Sequence, residues 1–354
     1  MSEPIRVGIL NDGEHTGDEG GAGSSVFRQL GVAIQFAVDE RTAQGRIDRP
    51  IELVHVHGAG LPGGTAHAVE RAFRELVDQG VLLVVGPAIG DNAIVATPVA
   101  DACRTPAINW SASERARSDY MFHLQVGSHE DESILMARYA ASIGLKKLGV
   151  VYDKTPIGRR HLSFFEAECE LVGVSASAKV PIPALPPEAL DEVRTLKDAG
   201  VDGLVYMGLG WAGREVARAK TALGWDVPTI MNAAGMRGAD PAFARDIESW
   251  VYPDMHSDGN AVLRRVRQQI PSGGPSGPAL AFGYDMGQLV AEAIARSWEL
   301  NREGFKEGLE QIKVVPAAEG YDGTTLGFGK WDRGALKGRY LVMRQWRDAV
   351  SVEL

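Results

Sequence analysis

The chain has 354 residues, of which 45% are hydrophobic and 23% charged, and it carries a formal net charge of −9. This length exceeds the roughly 250–300 residues at which a single core stops growing, so two lobes are expected. The acidic balance argues against a basic, counterion-releasing surface for nucleic acid, and no apolar run reaches the roughly 18 residues of a membrane span.

Met1-Ser2-Glu3-Pro4 leads straight into a first strand without a basic or apolar leader. The expectation is a cytoplasmic chain, or an extracytoplasmic one whose signal has been removed. Strands are predicted over 5–10, 51–57 and 82–85, alternating with helices over 26–40, 65–79 and 92–103. Repeated β-α of this kind builds a parallel sheet covered on both faces. The glycine-rich loop over 11–23 contains Asp12, Glu14, Asp18 and Glu19, which would repel a phosphate, so it reads as a cleft-edge loop that brings Glu14 or His15 to a ligand.

An extended segment over 120–125 precedes a second series. Its helices are predicted over 130–143, 159–172, 187–199 and 211–223, and its strands over 148–152, 174–180, 203–207 and 227–231. A second extended segment over 249–253 closes it, helices return over 261–270 and 279–300, and a hairpin over 340–346 and 350–352 ends the chain. Arg264-Arg265-Val266-Arg267 reads as a solvated helix face. Cys103 and Cys169 read as buried free thiols, which leans toward a reducing compartment. His55 and His57 face one side of a strand, but no third ligand follows at useful spacing, so no metal or other cofactor is expected. No G-x-S-x-G elbow occurs and no nucleophilic triad assembles, so the chain reads as a non-enzyme.

The stretch VVGPAIGDNAIVATPVADACRTPAINWSASE ends two buried strands in small and polar residues, Gly90-Asp91-Asn92 and Asn109-Trp110-Ser111-Ala112-Ser113. Ligands of open α/β sheets bind beyond the carboxyl ends of the strands, where loops and helix N-termini present N–H groups. Asn92, Ser111 and Ser113 could instead serve only as helix caps, but the shared pattern at two strand ends favours a binding site. Gly208-Leu209-Gly210-Trp211-Ala212-Gly213 fits a dinucleotide fingerprint, which supports an alternative reading as a nucleotide-dependent oxidoreductase. Against it, the motif follows the third strand of its series, and the next strand ends in Asn232 rather than an acid.

These motifs, together with KKLGVVYDKTPIGRRHLSFFEAE, VDGLVYMGLGWAGREVARAKTALGWDVPTIMNAAGM and FGKWDRGALKGRYLVMRQW, resemble the branched-chain amino-acid binding proteins, including their amide-sensor relatives, over essentially the whole chain. The resemblance implies an α/β protein of the type I periplasmic-binding-protein fold: two Rossmann-like lobes with parallel sheets, joined by three crossover segments and closing on a small ligand like a hinge. Residues 1–121 with 254–326 would form the N-terminal lobe and 122–253 with 327–354 the C-terminal lobe, the third crossover lying near 325–330.

In that family a ligand carboxylate is held by the loop matching Ser111-Ala112-Ser113, while a first-loop serine falls within Gly90-Asp91-Asn92. Two ligand tyrosines match Ile157 and Leu209, and the acid that pairs with the ligand ammonium matches Ala234. A buried ammonium without a carboxylate costs several kcal/mol, so the resemblance points away from a free amino acid. With Trp110, Ile157, Leu209, Trp211 and Met236 around the expected cleft, a more apolar carboxylate or amide is favoured, and closure would bring Trp110 and Trp211 together. The partners implied are this small organic ligand and either an ABC permease or, for an intracellular sensor, a cytoplasmic regulatory protein. A homodimer through an apolar helix face of the first lobe is a further expectation.

Overall fold

In the computed structural model, which describes residues 3–13, 22–270, 274–275 and 277–354 without the side chains of 22–26, the first series of strands forms one parallel sheet. Its elements are β1 (Ile5–Asn11), α1 (Ala22–Ala43), β2 (Ile51–His57), α2 (Ala66–Asp78), β3 (Leu83–Val85), α3 (Gly90–Cys103), β4 (Ala107–Asn109) and β5 (Met121–His123). The strand order is β2-β1-β3-β4-β5, with Ile5 opposite Ile51 and Val7 opposite Leu83. Thr65 caps α2 by accepting the Ala68 N–H, and the helix buries Val69, Ala72, Phe73 and Leu76, a 3-4 spacing that makes one apolar stripe. That stripe packs with Leu10, Val84, Ala96 and Ala107.

The second series follows as α4 (His129–Ser142), β6 (Lys147–Asp153), α5 (Pro156–Val172), β7 (Ser175–Ile182), α6 (Leu190–Asp198), β8 (Gly203–Met207), α7 (Trp211–Ala222), β9 (Thr229–Met231), α8 (Pro241–Asp246) and β10 (Val251–Asp254). The remaining elements are α9 (Ala261–Gln269), α10 (Gly277–Arg296), α11 (Arg302–Glu310), β11 (Val315–Pro316), β12 (Thr325–Leu326), β13 (Leu336–Lys337), β14 (Val342–Arg347) and β15 (Val350–Glu353). The second sheet runs β15-β14-β10-β9-β8-β6-β7, with β14 antiparallel to β10. Successive residues of β8 enter opposite cores: Leu204 and Tyr206 join Val216, Phe243 and Trp346, while Val205 and Met207 join Met136, Phe165 and Cys169. A strand buried on both faces by this two-residue alternation reads as one apolar run, as GLVYM does.

The chain divides into two compact units, Met1–Val126 with Met255–Tyr340 and Gly127–Asp254 with Leu341–Leu354. Residues 122–126 and 327–340, grouped above with the second lobe, thus lie in the first unit. There β11, β12 and β13 form a small antiparallel sheet, and the Arg333 carbonyl accepts the His123 N–H at 2.9 Å. The third passage between units accordingly falls at Tyr340–Leu341 rather than near 325–330.

The helix expected over 279–300 stops at Arg296, and α11 begins behind Asn301, whose side chain accepts the Gly304 N–H. Residues 233–246, between the predicted strand over 227–231 and the extended segment over 249–253, form a 3-10 turn over Ala233–Ala239 and then α8, capped by Asp240 with Pro241 in its first turn. Neither cysteine is in a disulfide, but Cys103 is only partly buried, with the Arg74 guanidinium 3.7 Å from its sulfur. The loops expected over 11–23, including Glu14 and His15, and over 271–278 lie largely outside the described residues.

Candidate functional site

In the first sheet β1 lies between β2 and β3, so the topology reverses beside it, and a crevice beyond the carboxyl ends of β1 and β3 is where such sheets bind ligands. Asp12, immediately after β1, is almost wholly buried and organises this end. Its carboxylate accepts the N–H groups of Ala88 (2.9 Å) and Ile89 (3.0 Å) and the Asn92 amide (2.9 Å). Asn92 is engaged on both sides, since its oxygen accepts the Leu61 N–H at 2.9 Å and its nitrogen also reaches the Leu61 carbonyl at 3.2 Å. Its amide therefore ties two loops together within the protein. Asp91, in the first turn of α3, is partly buried, and burial pushes its pKa up to about 6.

The neighbouring loop after β4 is built around Asn109, which donates to the carbonyls of Ala116 and Phe122, both at 2.8 Å. Ser111 donates its hydroxyl to Asn109 Oδ1 at 2.8 Å and accepts the Ser113 N–H at 3.2 Å. Arg117 donates to His123 Nδ1 at 3.0 Å, so Nε2 carries the proton and donates to the Ser111 carbonyl at 2.7 Å. These bonds leave two buried polar atoms without a partner among the described residues, Ser113 Oγ and Trp110 Nε1. Trp110 is held by stacking on Phe282 (centroids 5.0 Å apart) and by edge contact with Phe27 (5.3 Å). Ala112, between the two serines, is partly exposed. A buried donor or acceptor left unmade costs about 1–3 kcal/mol, which makes this pair a candidate for contact with a polar group from outside.

The second sheet reverses beside β6, between β7 and β8. Asp153, the last residue of β6, is fully buried. It accepts the Leu209 N–H at 2.7 Å and the Tyr206 hydroxyl at 2.9 Å, and burial pushes its pKa up to about 6. Tyr206 in turn accepts the Gly210 N–H at 3.1 Å, and Asn232 accepts the Gly208 N–H at 3.2 Å. Three backbone donors of the Gly208–Gly213 loop, the N–H groups of Gly208, Leu209 and Gly210, are thus taken by side chains. These bonds count against the dinucleotide reading and against the oxidoreductase alternative that rests on it. Among the described residues no His, Cys, Asp and Glu group of three or more could hold a metal.

Arg237, in the 3-10 turn after β9, stacks its guanidinium over Trp211 at 4.2 Å from the ring centroid and donates Nε to the Leu209 carbonyl at 2.7 Å. Burial lowers its pKa to about 10, which leaves it a cation at neutral pH. Ala234 and Met236, in the same turn, are partly buried against the core that holds Tyr206 and Trp346, while Ile157 is buried in the first turn of α5. Glu132 of α4 supports the turn from behind: fully buried, it accepts the Ala233 N–H at 2.7 Å and the Ser128 N–H at 2.5 Å.

Gly210 has φ +93°, and a Cβ there would meet Arg237 Cδ at 2.6 Å. Gly210→Ala is expected to displace Arg237 and cost about 1–3 kcal/mol of stability by urea denaturation. Gly224→Ala, at φ +56° with nothing nearby, isolates the backbone part of that cost. Equal losses at the two positions would mean that Arg237 does not constrain the loop.

The residues singled out from the sequence, Asp91, Asn92, Trp110, Ser111, Ala112, Ser113, Ile157, Leu209, Trp211, Ala234 and Met236, lie in or beside these loops, whereas the organising roles of Asp12, Glu132, Asp153, Tyr206 and Arg237 were not foreseen. The available signal was an aspartate at the end of the first strand of each series, in LNDG and VYDK.

Two α/β units, each an open sheet with a polar loop cluster at its topological switch, define a small-molecule binding protein of the type I periplasmic-binding fold. The profile of the periplasmic binding proteins matches residues 4–344, and the chain belongs to that family. Among solved structures it is similar to an ABC transporter substrate-binding protein from Desulfitobacterium hafniense in complex with leucine, at 19% identity and TM-score 0.78, covering 99% of this chain and 100% of that one. It is also similar to a leucine-binding protein from Thermotoga maritima (16%, TM-score 0.82, 99% and 97% covered). A possible leucine/isoleucine/valine-binding protein from Rhodopirellula baltica gives 17%, TM-score 0.80 and coverage of 99% and 96%. At these identities the likeness is one of fold. No curated protein matches the chain. The family's description favours an extracytoplasmic location over the cytoplasmic one expected above.

Proposed function

We propose that the protein is a non-enzymatic receptor that captures a small organic molecule outside the cytoplasm and presents it to an ABC permease. The observation that carries this reading is the pair of buried, unpartnered atoms Ser113 Oγ and Trp110 Nε1 at the carboxyl end of β4, beside an aromatic cluster. Delivery is favoured over intracellular sensing because matched structures are described as ABC transporter substrate-binding proteins.

A thermal-shift screen of amino acids, aliphatic amides and aromatic and aliphatic carboxylates tests the reading, since a ligand at a hundredfold excess over Kd adds about 2.7 kcal/mol. Ser113→Ala is expected to weaken the best binder by about 1–3 kcal/mol while leaving the unligated melting temperature nearly unchanged. Equal affinity of parent and variant would make Ser113 a structural residue only. Leucine, isoleucine and valine are expected to bind negligibly, because Ala234 stands where the ammonium's acidic partner would be. A micromolar Kd for any of them by calorimetry would overturn that assignment.

A further inference from the structure

We infer that the second unit carries an anion-recognition subsite in which Arg237 takes a carboxylate of the ligand, making this a receptor for an organic acid; the inference rests on the receptor reading above. Arg237 follows β9, at the same sheet end as Asp153 and the loop after β8. Its Nε is fixed on the Leu209 carbonyl at 2.7 Å, and one face of the guanidinium lies over Trp211 at 4.2 Å. Among the described residues the two terminal nitrogens make no hydrogen bond or ion pair. A cation on a fixed stem with its donor fork unused matches the bidentate geometry of a carboxylate.

The charge of Asp153 acts on it, but without direct contact. Asp153, the nearest acid on this network, makes no salt bridge to Arg237 and directs its oxygens to the Leu209 N–H and the Tyr206 hydroxyl. Leu209 and Gly210 are shaped to the stem: the first supplies the carbonyl, and the second leaves room that a Cβ would fill. Ala234 lies against the same loop, since that Cβ would also meet the Ala234 methyl at 2.9 Å. The open groups offered at this turn are therefore the donors of a guanidinium, which pair with a carboxylate and not with an ammonium.

The test compares matched probes by calorimetry: 4-methylpentanoate, 4-methylpentanamide and 3-methylbutylamine, and benzoate, benzamide and benzylamine. The carboxylate of at least one set is expected to bind roughly tenfold or more tighter than its amide, with the amine weakest. Arg237→Gln should erase the preference for acid over amide, whereas Ser113→Ala should weaken acid and amide alike and keep it. Arg237→Lys, which retains the charge without the fork, should keep part of it and serves if the glutamine variant unfolds. An amide or amine binding as tightly as its acid, or Arg237→Gln holding the acid as the parent does, overturns the anion assignment and leaves the receptor reading standing. If no probe of any charge binds at millimolar concentration while other solutes in the wider screen do, the organic-acid assignment alone falls. If nothing in either screen binds, both fall.

Discussion

Asp12→Ala is expected to lower the unfolding free energy by about 3–4 kcal/mol, one of the largest effects of any single substitution in the first unit. The carboxylate is 2% exposed and receives the Ala88 and Ile89 N–H groups and the Asn92 amide. Removing it strands three buried donors, each costing about 1–3 kcal/mol if left unmade, with water and relaxation recovering part of the sum. Burial pushes the Asp12 pKa up while the three donors pull it back. Asp12→Asn should therefore be intermediate, because it keeps one acceptor but turns an NH2 group toward a donor. Urea unfolding of the three proteins checks the order. A loss below about 1 kcal/mol for the alanine variant would show that the loop after β3 holds its shape without Asp12.

His129 is expected to make the protein acid-sensitive. It is 2% exposed, and both ring nitrogens lack a hydrogen-bond partner among the described residues. It stands edge-on to the buried His161 at 4.7 Å, and burial lowers its pKa to about 4. His161 is likewise pushed down by burial, with the charges of His129 and Arg160 adding to the effect. A folded-state value below the ordinary 6.5 means that the unfolded chain binds the proton first. Stability is thus present above pH 6.5 and lost as pH falls toward 4, by about 3 kcal/mol for His129 alone. The buried acids act in the opposite sense. Glu132, raised to about 8, and Asp285, raised to about 7, are neutral at low pH and cost stability as pH rises through those values.

Comparison with His129→Phe separates the two effects. At pH 7 the variant should lie within about 1.5 kcal/mol of the parent, since an unpartnered imidazole is exchanged for an apolar ring. Below pH 6 the parent should lose stability faster. Parallel urea midpoints from pH 7 to 4.5 would mean that the imidazole accepts its proton without cost, which its burial does not allow.

Much of the architecture is written in local pattern. GLVYM, between turn residues, is a strand covered on both faces, and IELVHVH reads as a strand whatever its surroundings. The Ser111–Ser113 loop was also legible, as small and polar residues at the end of a buried strand. What the serines do was not: Ser111 bonds within its own loop, and only Ser113 keeps an open hydroxyl. Asn92, an equally plausible ligand group in the sequence, has its amide taken by Asp12 and Leu61, the former 80 residues away.

The sequence by itself determined the α/β class and the two series of elements, and it singled out the strand ends proposed to bind a ligand. These follow from side-chain periodicity and from residue types at turns, both local along the chain. Only the tertiary structure decided that side chains take the Gly208, Leu209 and Gly210 N–H groups, and that Arg237 is a stacked cation with an open fork. Both depend on side chains brought together across the sheet ends, Asp153 with Leu209 and Arg237 with Trp211, which lie 56 and 26 positions apart. A hydrogen bond is satisfied or open according to distances of a few tenths of an ångström, which no spacing in a linear sequence encodes.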